Sequence, residues 1–425
     1  MITRSFILLK LFVLALPVIR CARILVYVAT PSISHQVVFR PLTQALAARG
    51  HEVYVITPNP VFSKEKTPAN LTEIDVHNVS YQNWEELFVY HKGVKEDIVH
   101  EVILMFKIFA LTVDAQLSTP GVQEILSKHK NFFDIIMLES CHRPLLGLVH
   151  KFDAPVILIS SWGAVSAQYD ALGAPVHPLL YPTAGMQKLY NLSLLEKGLE
   201  VLKSIILNYL VSSTEDFDLE IIRKHFGGDV PGFGILAKRI DMMFLNEHTI
   251  WADNRPVPPN IIYIGGIHKT QQKDLSWDLE KILNSSQNGV IYVSFGTNVK
   301  LSQLPTEKIN LMAKVFAQLP YDILWKYDKD VLPTQTNNIK LSNWFPQADL
   351  LKHPNIKLFI TQGGLQSTDE AIDAAVPLIG IPLSGDQWYN VQKYVRHGIG
   401  SQLDMTTLTE KEFKETIERV IQNKR

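Results

Sequence analysis

Trp344, Glu370, Asp386 and Gln387 flank the glycine pair Gly363-Gly364 within residues 341–390, and together they offer the groups that a nucleotide-sugar needs. The flat apolar face of a Trp suits a nucleobase. Carboxylates accept hydrogen bonds from vicinal hydroxyls. The glycine pair follows the apolar run Lys357–Thr361 and precedes a helical run, Gln366–Ala375, that holds Ser367. At such a turn, free backbone N–H groups and the helix dipole point at an anion, so the turn suits phosphate. Each glycine turn alone is ordinary chain reversal. The combination of base, phosphate and hydroxyl binders in one stretch is what carries the reading.

A second set of reactive groups lies far away in sequence. His35 follows the apolar run Ile24–Ala29 and opens a helical run, Gln36–Arg49. An imidazole with an ordinary pKa of about 6.5 is matched to taking a proton from a hydroxyl at neutral pH. A base needs an acid to orient it, and Glu139 ends the apolar run Asp134–Leu138. Asp134 is at the start of that run and is expected on the opposite rim. Asp328-Lys329-Asp330 has the D-x-D spacing of a metal site, but it falls in a polar loop before Pro333. No H-E-x-x-H and no G-x-G-x-x-G occurs, so zinc hydrolases and dinucleotide oxidoreductases lack their motifs.

These residues need a scaffold, and the hydrophobic pattern supplies two. Runs at Ile24–Ala29, Glu52–Ile56, Asp134–Leu138 and Pro155–Ser160 read as strands separated by helices. Residues 162–240 read as mostly helical. A second alternation has strands at Val290–Phe295, Ile323–Lys326, Ile339–Leu341, Lys357–Thr361, Leu378–Ile381 and Gly400–Leu403. Strands alternating with helices predict α/β architecture, here two doubly wound parallel sheets facing each other across a cleft. Between them Pro256, Pro258 and Pro259 forbid a helix. The expected division is an N-terminal domain over 23–250, a Pro-rich connector over 251–285 and a C-terminal domain over 286–425. In open α/β sheets ligands bind at the carboxyl ends of strands. That places the Ser294-Phe295-Gly296-Thr297 turn, the Gly363-Gly364 turn and the Asp386-Gln387 turn on one rim.

The chain has 425 residues, of which 46% are hydrophobic and 20% charged, with a net charge of −1. This is globular composition and gives no field for nucleic acid. Residues 1–22, with Arg4, Lys10 and the apolar stretch Phe6–Ile19, predict a signal peptide and a secretory destination, in the endoplasmic reticulum lumen or outside the cell. N-x-S/T sequons at Asn70, Asn78, Asn191 and Asn284 agree with that route. The two cysteines, Cys21 and Cys141, make no disulfide framework. After the signal no apolar run reaches the ~18 residues of a membrane span. Leu199–Val211 comes nearest and is broken by Glu200 and Lys203.

The motifs resemble those of the animal-type UDP-glycosyltransferases, which have the two-domain GT-B fold, and are most like insect and baculovirus members. The resemblance is carried by Trp344-Phe-Pro-Gln347, Phe359-Ile-Thr-Gln-Gly-Gly-Leu-Gln-Ser367, Glu370, Val376-Pro377 and Gly385-Asp386-Gln387. Asn254–Pro259 and Gly265–His268 resemble the family's interdomain segment. The resemblance implies that Trp344 stacks on uracil, with Gln347 beside the nucleoside and Glu370 on the ribose hydroxyls. It implies that Ser294, Thr297, Gln362, Gly364 and Ser367 hold the diphosphate, and that Asp386 and Gln387 hold the sugar. His35 and Glu139 would be the catalytic base and its partner, where many members have Asp in place of Glu139. Gln362 stands where many members have His. The implied reaction is inverting transfer of a sugar from UDP to a hydroxyl of a small lipophilic acceptor, with no cofactor and no metal. Glucose fits the Asp386-Gln387 pair, as do galactose and glucuronate. An ecdysteroid glucosyltransferase of baculovirus type and a non-catalytic binding member of the same scaffold are the alternatives. Family members usually continue with helices that brace the N-terminal domain and with a membrane helix. Membrane association is therefore expected only of a longer form.

Overall fold

The computed structural model describes residues 21–63, 66–90, 98–186, 188–332 and 336–423. The signal-peptide segment lies almost wholly outside them. Two parallel sheets organise the chain. The first contains β1 (Arg23–Tyr27), β2 (Glu52–Thr57), β3 (Leu71–Asp75), β4 (Ile135–Glu139), β5 (Val156–Ser160), β6 (Ile240–Leu245) and β7 (Ile261–Tyr263) in the order β3-β2-β1-β4-β5-β6-β7. The second contains β8 (Val290–Ser294), β9 (Asp322–Lys326), β10 (Ile339–Ser342), β11 (Ile356–Thr361), β12 (Leu378–Gly380) and β13 (Gly400–Gln402) in the order β10-β9-β8-β11-β12-β13.

Both orders run outward from the first strand, return, and continue on its other side. Each sheet therefore has one switch point, between β1 and β4 and between β8 and β11, where successive crossovers diverge and leave a crevice. Helices cover both faces, so the central strands are apolar throughout and do not alternate. All five residues of β8 are buried. In β4, Ile136 and Leu138 are fully buried in one core cluster, and each contributes about 2 kcal/mol of burial.

The stretch 251–285 is less of a connector than its prolines suggest. Ile261–Tyr263 is the seventh strand of the first sheet, pairing with Met243–Leu245. Trp277–Ser285 is a helix whose Leu279 and Leu283 join the core of the second domain. A three-residue strand and a two-turn helix are too short for a periodic signal beside Pro259 and Gly265-Gly266. Residues 264–276 hold neither strand nor helix.

Residues 162–240 hold four helices, Ser166–Ala171, Leu194–Ser213, Glu215–Phe226 and Phe233–Ala237, with a stretch free of helix over 172–193. Within them the Leu194–Ser213 helix has no buried residue and turns Leu195, Leu199, Leu202, Ile206 and Tyr209 to solvent. No single helix among the described residues is long and apolar enough to cross a membrane.

Candidate active site

At the switch point of the first sheet, the chain leaves β1 at Tyr27, passes through Ala29-Thr30 and enters the first helix (Ile33–Ala48), which puts His35 in the opening turn. Glu139 ends β4, next door. His35 Nδ1 lies 2.6 Å from Glu139 Oε1. Glutamate, one methylene longer than aspartate, thus reaches the imidazole without difficulty. Glu139 Oε2 accepts from the backbone N–H groups of Ala29 and Thr30, both at 2.8 Å. Thr30 Oγ1 donates to Oε1 at 2.6 Å. Burial alone would raise the pKa of this carboxyl. The hydrogen bond and charge of His35, with His142 and Thr30, outweigh it and bring the value to about 2. Glu139 is therefore an ionised acceptor and His35 Nδ1 carries the proton between them, an arrangement that in a neutral imidazole leaves the lone pair on Nε2. Nε2 makes no hydrogen bond among the described residues.

Three partners of this pair have no motif in the sequence. Ser161 Oγ, just beyond β5, lies 2.9 Å from His35 Nδ1. His142 Nε2 lies 2.9 Å from Thr30 Oγ1. Because the Thr30 hydroxyl donates to Glu139, it must accept from His142. Burial lowers the His142 pKa to about 4, against the pull of Glu139, so this imidazole is neutral. The only available signal was their position: polar residues directly after strands of a parallel sheet. Asp134, at the other end of β4, bonds the Arg23 N–H at 2.7 Å and stays on the opposite rim, as expected.

The second switch point faces the first. β8 ends at Ser294 and β11 ends at Thr361, paired with each other. Gly296 and Gly363 have φ of +77° and +93°, which a side-chain-bearing residue adopts only under strain. Gly364 caps the Leu365–Asp373 helix with no side chain bonded to its first turn, leaving the N–H groups of that turn open. Gln362 packs its amide over Gly296, where a Cβ would come within 2.4 Å of Nε2, and its buried Oε1 has no partner. Ser294 is buried and Thr297 exposed.

Beside these turns Gln347 ties three elements together. Its Nε2 donates to Ser367 Oγ at 2.9 Å and to Glu370 Oε2 at 2.7 Å, and its Oε1 accepts from Tyr292 at 3.2 Å. Burial raises the Glu370 pKa. Trp344 is 61% exposed. Lys326, which the sequence reading did not single out, sits 4.9 Å from its ring centroid and donates to the Gly296 carbonyl at 2.7 Å. Asp386 and Gln387 behave differently from each other. Asp386 Oδ2 accepts from Asn390, while burial pushes its pKa up. Gln387 spends its Oε1 on the N–H groups of Leu383 and Ser384, at 2.8 and 2.9 Å, so only its Nε2 can meet a ligand.

Two acidic groupings do not fit a metal. Asp328 accepts from the N–H and hydroxyl of Ser302 and serves a turn. His35, Glu139 and Cys141 bring ligand atoms within 4.8 Å of one another. The Glu139 oxygens are already met by four donors, and burial holds the Cys141 thiol protonated.

The domains touch around the base. Ser32 Oγ donates to Asn298 Oδ1 at 2.9 Å, and Gln366 Nε2 donates to the Ser161 carbonyl at 2.9 Å. A His–Glu pair at one switch point faces a rim of glycine turns at the other, on two apposed parallel sheets, and this is the two-domain GT-B architecture of glycosyltransferases.

The family model described as UDP-glucoronosyl and UDP-glucosyl transferase matches residues 22–425, and the chain belongs to that family. It is 35% identical to the ecdysteroid UDP-glucosyltransferase of Spodoptera littoralis nuclear polyhedrosis virus, over 98% of this chain and 84% of the relative. It is 28% identical to UDP-glucosyltransferase 2 of Dactylopius coccus, over 98% of this chain and 81% of that one. Among solved structures, the calicheamicin glycosyltransferase CalG4 superposes with a TM-score of 0.62 at 17% identity, covering 95% of this chain and 91% of its own. That likeness is one of fold. The protein is an enzyme that moves a sugar from UDP to an acceptor.

Proposed function

We propose that the protein transfers glucose, with inversion, from UDP-glucose to a hydroxyl of a small lipophilic acceptor, with ecdysteroids as the leading candidates. The observation that carries this reading is the 2.6 Å contact between His35 Nδ1 and Glu139, which leaves Nε2 open at the cleft. His35 Nε2 takes the acceptor's hydroxyl proton as that oxygen forms its bond to the anomeric carbon. The bond from that carbon to the diphosphate oxygen breaks on the opposite face, and UDP departs. Glu139 stabilises the imidazolium. The open N–H groups from Gly364 onward, with Ser367 and the Ser294–Thr297 turn, meet the charge on the leaving diphosphate. Trp344, Gln347 and Glu370 hold the nucleoside, and Asp386 with Gln387 Nε2 holds the sugar. No step is assigned to a metal.

The glucose donor rests on the names of the viral and insect relatives. The lipophilic acceptor is supported by the apolar cluster Trp84, Ile108 and Phe109, against which Leu104, Met105 and Cys141 pack, with the Cys141 sulfur within 4.8 Å of ligand atoms of His35 and Glu139. Phe109 meets His142 edge-to-face at 4.6 Å. All four sequon asparagines, Asn70, Asn78, Asn191 and Asn284, are exposed. With the N-terminal signal pattern, this supports a glycoprotein of the secretory pathway.

His35→Ala tests the assignment. Transfer from UDP-glucose to a hydroxysteroid is expected to fall by about 10³-fold, with the Kd for UDP unchanged. Wild-type turnover in the variant removes His35 as the base.

A further inference from the structure

The Leu194–Ser213 helix is the element least explained by folding. None of its residues is buried, although a helix in water ordinarily owes its stability to an apolar face packed on a core. It packs against the Ile98–Leu117 and Glu215–Phe226 helices, and its solvent side carries Leu195, Leu199, Leu202, Ile205, Ile206 and Tyr209. Leu195 and Tyr209 are each 74% exposed, and Ile205 is 61% exposed. At about 100° per residue these six side chains share an arc of about 120°, along about 30 Å of helix. No charged residue falls inside that arc. Val176 and Leu180, in the stretch before the helix, are exposed as well. Single exposed apolar residues are ordinary, but a continuous apolar face of this length marks a surface that meets something.

The charges around the face decide between occupants. Residues 188–213 hold three lysines, Lys188, Lys197 and Lys203, against two acids, Glu196 and Glu200. Both acids are spent within the protein: Glu196 on Lys188 and the Ser193 N–H, Glu200 on Lys203. The Glu200 side chain is mostly covered, while the Lys203 side chain is exposed. Lys197 is exposed and has no acid partner among the described residues. Around the helix, Lys203 stands beyond one edge of the apolar arc and Lys197 beyond the other. Lysines so placed lay their stems along a hydrocarbon surface and hold their ammonium groups in a polar headgroup layer. A second copy of this chain fits less well. Leu195, Leu199, Leu202, Ile206 and Tyr209 do have the alternating four- and three-residue spacing of a helix–helix seam. Such seams are flanked by opposite charges that pair across, whereas two copies would bring together lysine-edged faces with no free acid to meet them.

We propose that the Leu194–Ser213 helix binds the surface of a lipid bilayer, lying flat with its apolar face at the boundary between headgroups and acyl chains. The contact is one of surface, since no single helix among the described residues is long and apolar enough to cross a membrane. It also has a use in the reaction, and that use rests on the lipophilic-acceptor reading above. The Ile98–Leu117 helix, against which the surface helix packs, carries Ile108 and Phe109 of the apolar cluster that Cys141 joins to the His35–Glu139 pair. Docked in this way, the enzyme holds its acceptor-binding helix one helix away from the lipid in which a lipophilic acceptor concentrates.

The test is flotation of the full chain with phosphatidylcholine vesicles carrying about 20% phosphatidylserine. Wild type should float with them. Leu195→Gln combined with Ile205→Gln should raise the Kd for these vesicles about tenfold or more. Both side chains are exposed, so Tm, and turnover of a water-soluble phenol without vesicles, should stay at the wild-type values. Lys197→Glu removes no apolar surface, so it should weaken binding to the anionic vesicles and leave binding to pure phosphatidylcholine nearly unchanged. A wild type that does not float, or a double variant that floats equally well, overturns the inference. Sedimentation velocity covers the other occupant: a wild-type dimer that the double variant abolishes assigns the face to a second copy and overturns it too. Failure of wild type to glycosylate any hydroxysteroid would overturn the acceptor reading and leave the vesicle result standing, so the two failures are separable.

Discussion

Every acceptor site on Glu139 is occupied: two by backbone N–H groups, one by the Thr30 hydroxyl and one by His35. An amide at this position would aim its NH₂ at donors. Glu139→Gln is therefore expected to lower kcat by about 10³-fold, because His35 loses both its tautomer and its counter-charge. The Kd for UDP, which the proposed function places across the cleft, should stay put. The same cluster sets an acid limit on stability. Glu139 has a folded-state pKa of about 2, below the usual carboxylate value. Its contribution is complete above the unfolded value and is lost as pH falls from about 4.5 toward 2. His142 is held near 4, so its neutral, buried form becomes costly as pH falls from about 6.5 toward 4. Thermal melts from pH 7.5 to pH 4.5 should show Tm falling first through the His142 window. His142→Asn should flatten that fall, and an unchanged slope would remove His142 as its source.

The strand-end turns repeat one device, but their glycines differ in what they must avoid. A Cβ on Gly363 would stand 2.3 Å from Val391 Cγ2 and 3.2 Å from the Gln387 carbonyl, at φ +93°. A Cβ on Gly385, at φ +59°, would meet nothing within 4 Å. Gly363→Ala should cost about 3 kcal/mol of stability through clash and strain, against about 1 kcal/mol for Gly385→Ala from backbone alone. Chemical denaturation of the two variants measures the difference, and equal losses would contradict the packing argument. These turns were legible in the sequence because each follows a buried, uninterrupted apolar strand. That signal is strong in parallel sheets and placed six strands of the second sheet to within a residue or two. It was weaker in the first sheet. Leu71–Asp75 alternates with charge at an edge, Ile240–Leu245 follows a long helical stretch, and Ile261–Tyr263 is three residues beside prolines. Glu139 and His35 could be read because each sits where strand meets helix. Thr30, His142 and Ser161 sit there too, but a lone hydroxyl or imidazole at a turn has no spacing partner. Their meeting depends on which strands are neighbours, and sequence order does not give that.

The two domains are joined by contacts of two strengths, and the difference suggests how the molecule moves. In the stronger set, Lys393 is fully buried, pairs with Asp253 at 2.8 Å and donates to the Trp251 carbonyl, while Trp251 Nε1 donates to Asn390 at 2.9 Å. Removing one member of such a buried ionic set costs about 3 kcal/mol. At the mouth, by contrast, the clasps are the neutral bonds Ser32–Asn298 and Gln366–Ser161. Each is worth only about 1 kcal/mol net. The expected motion is a parting of the clasps while the Lys393 set stays joined, with the clasps remade when a donor is bound. Because one clasp starts from Ser32 and the other ends on Ser161, which is bonded to His35, closing them also fixes His35 against the second domain. Asn298→Ala combined with Gln366→Ala should therefore cost about 2 kcal/mol of the closed state, or roughly 30-fold in its population. The double variant should raise KM for UDP-glucose and lower kcat together, and small-angle scattering with UDP-glucose should show a larger radius of gyration than wild type. Lys393→Met should act differently, lowering Tm without a matching rise in KM. If the double variant closes on UDP-glucose as fully as wild type, the clasps only report closure, and the Lys393 set with the ligand itself must drive it.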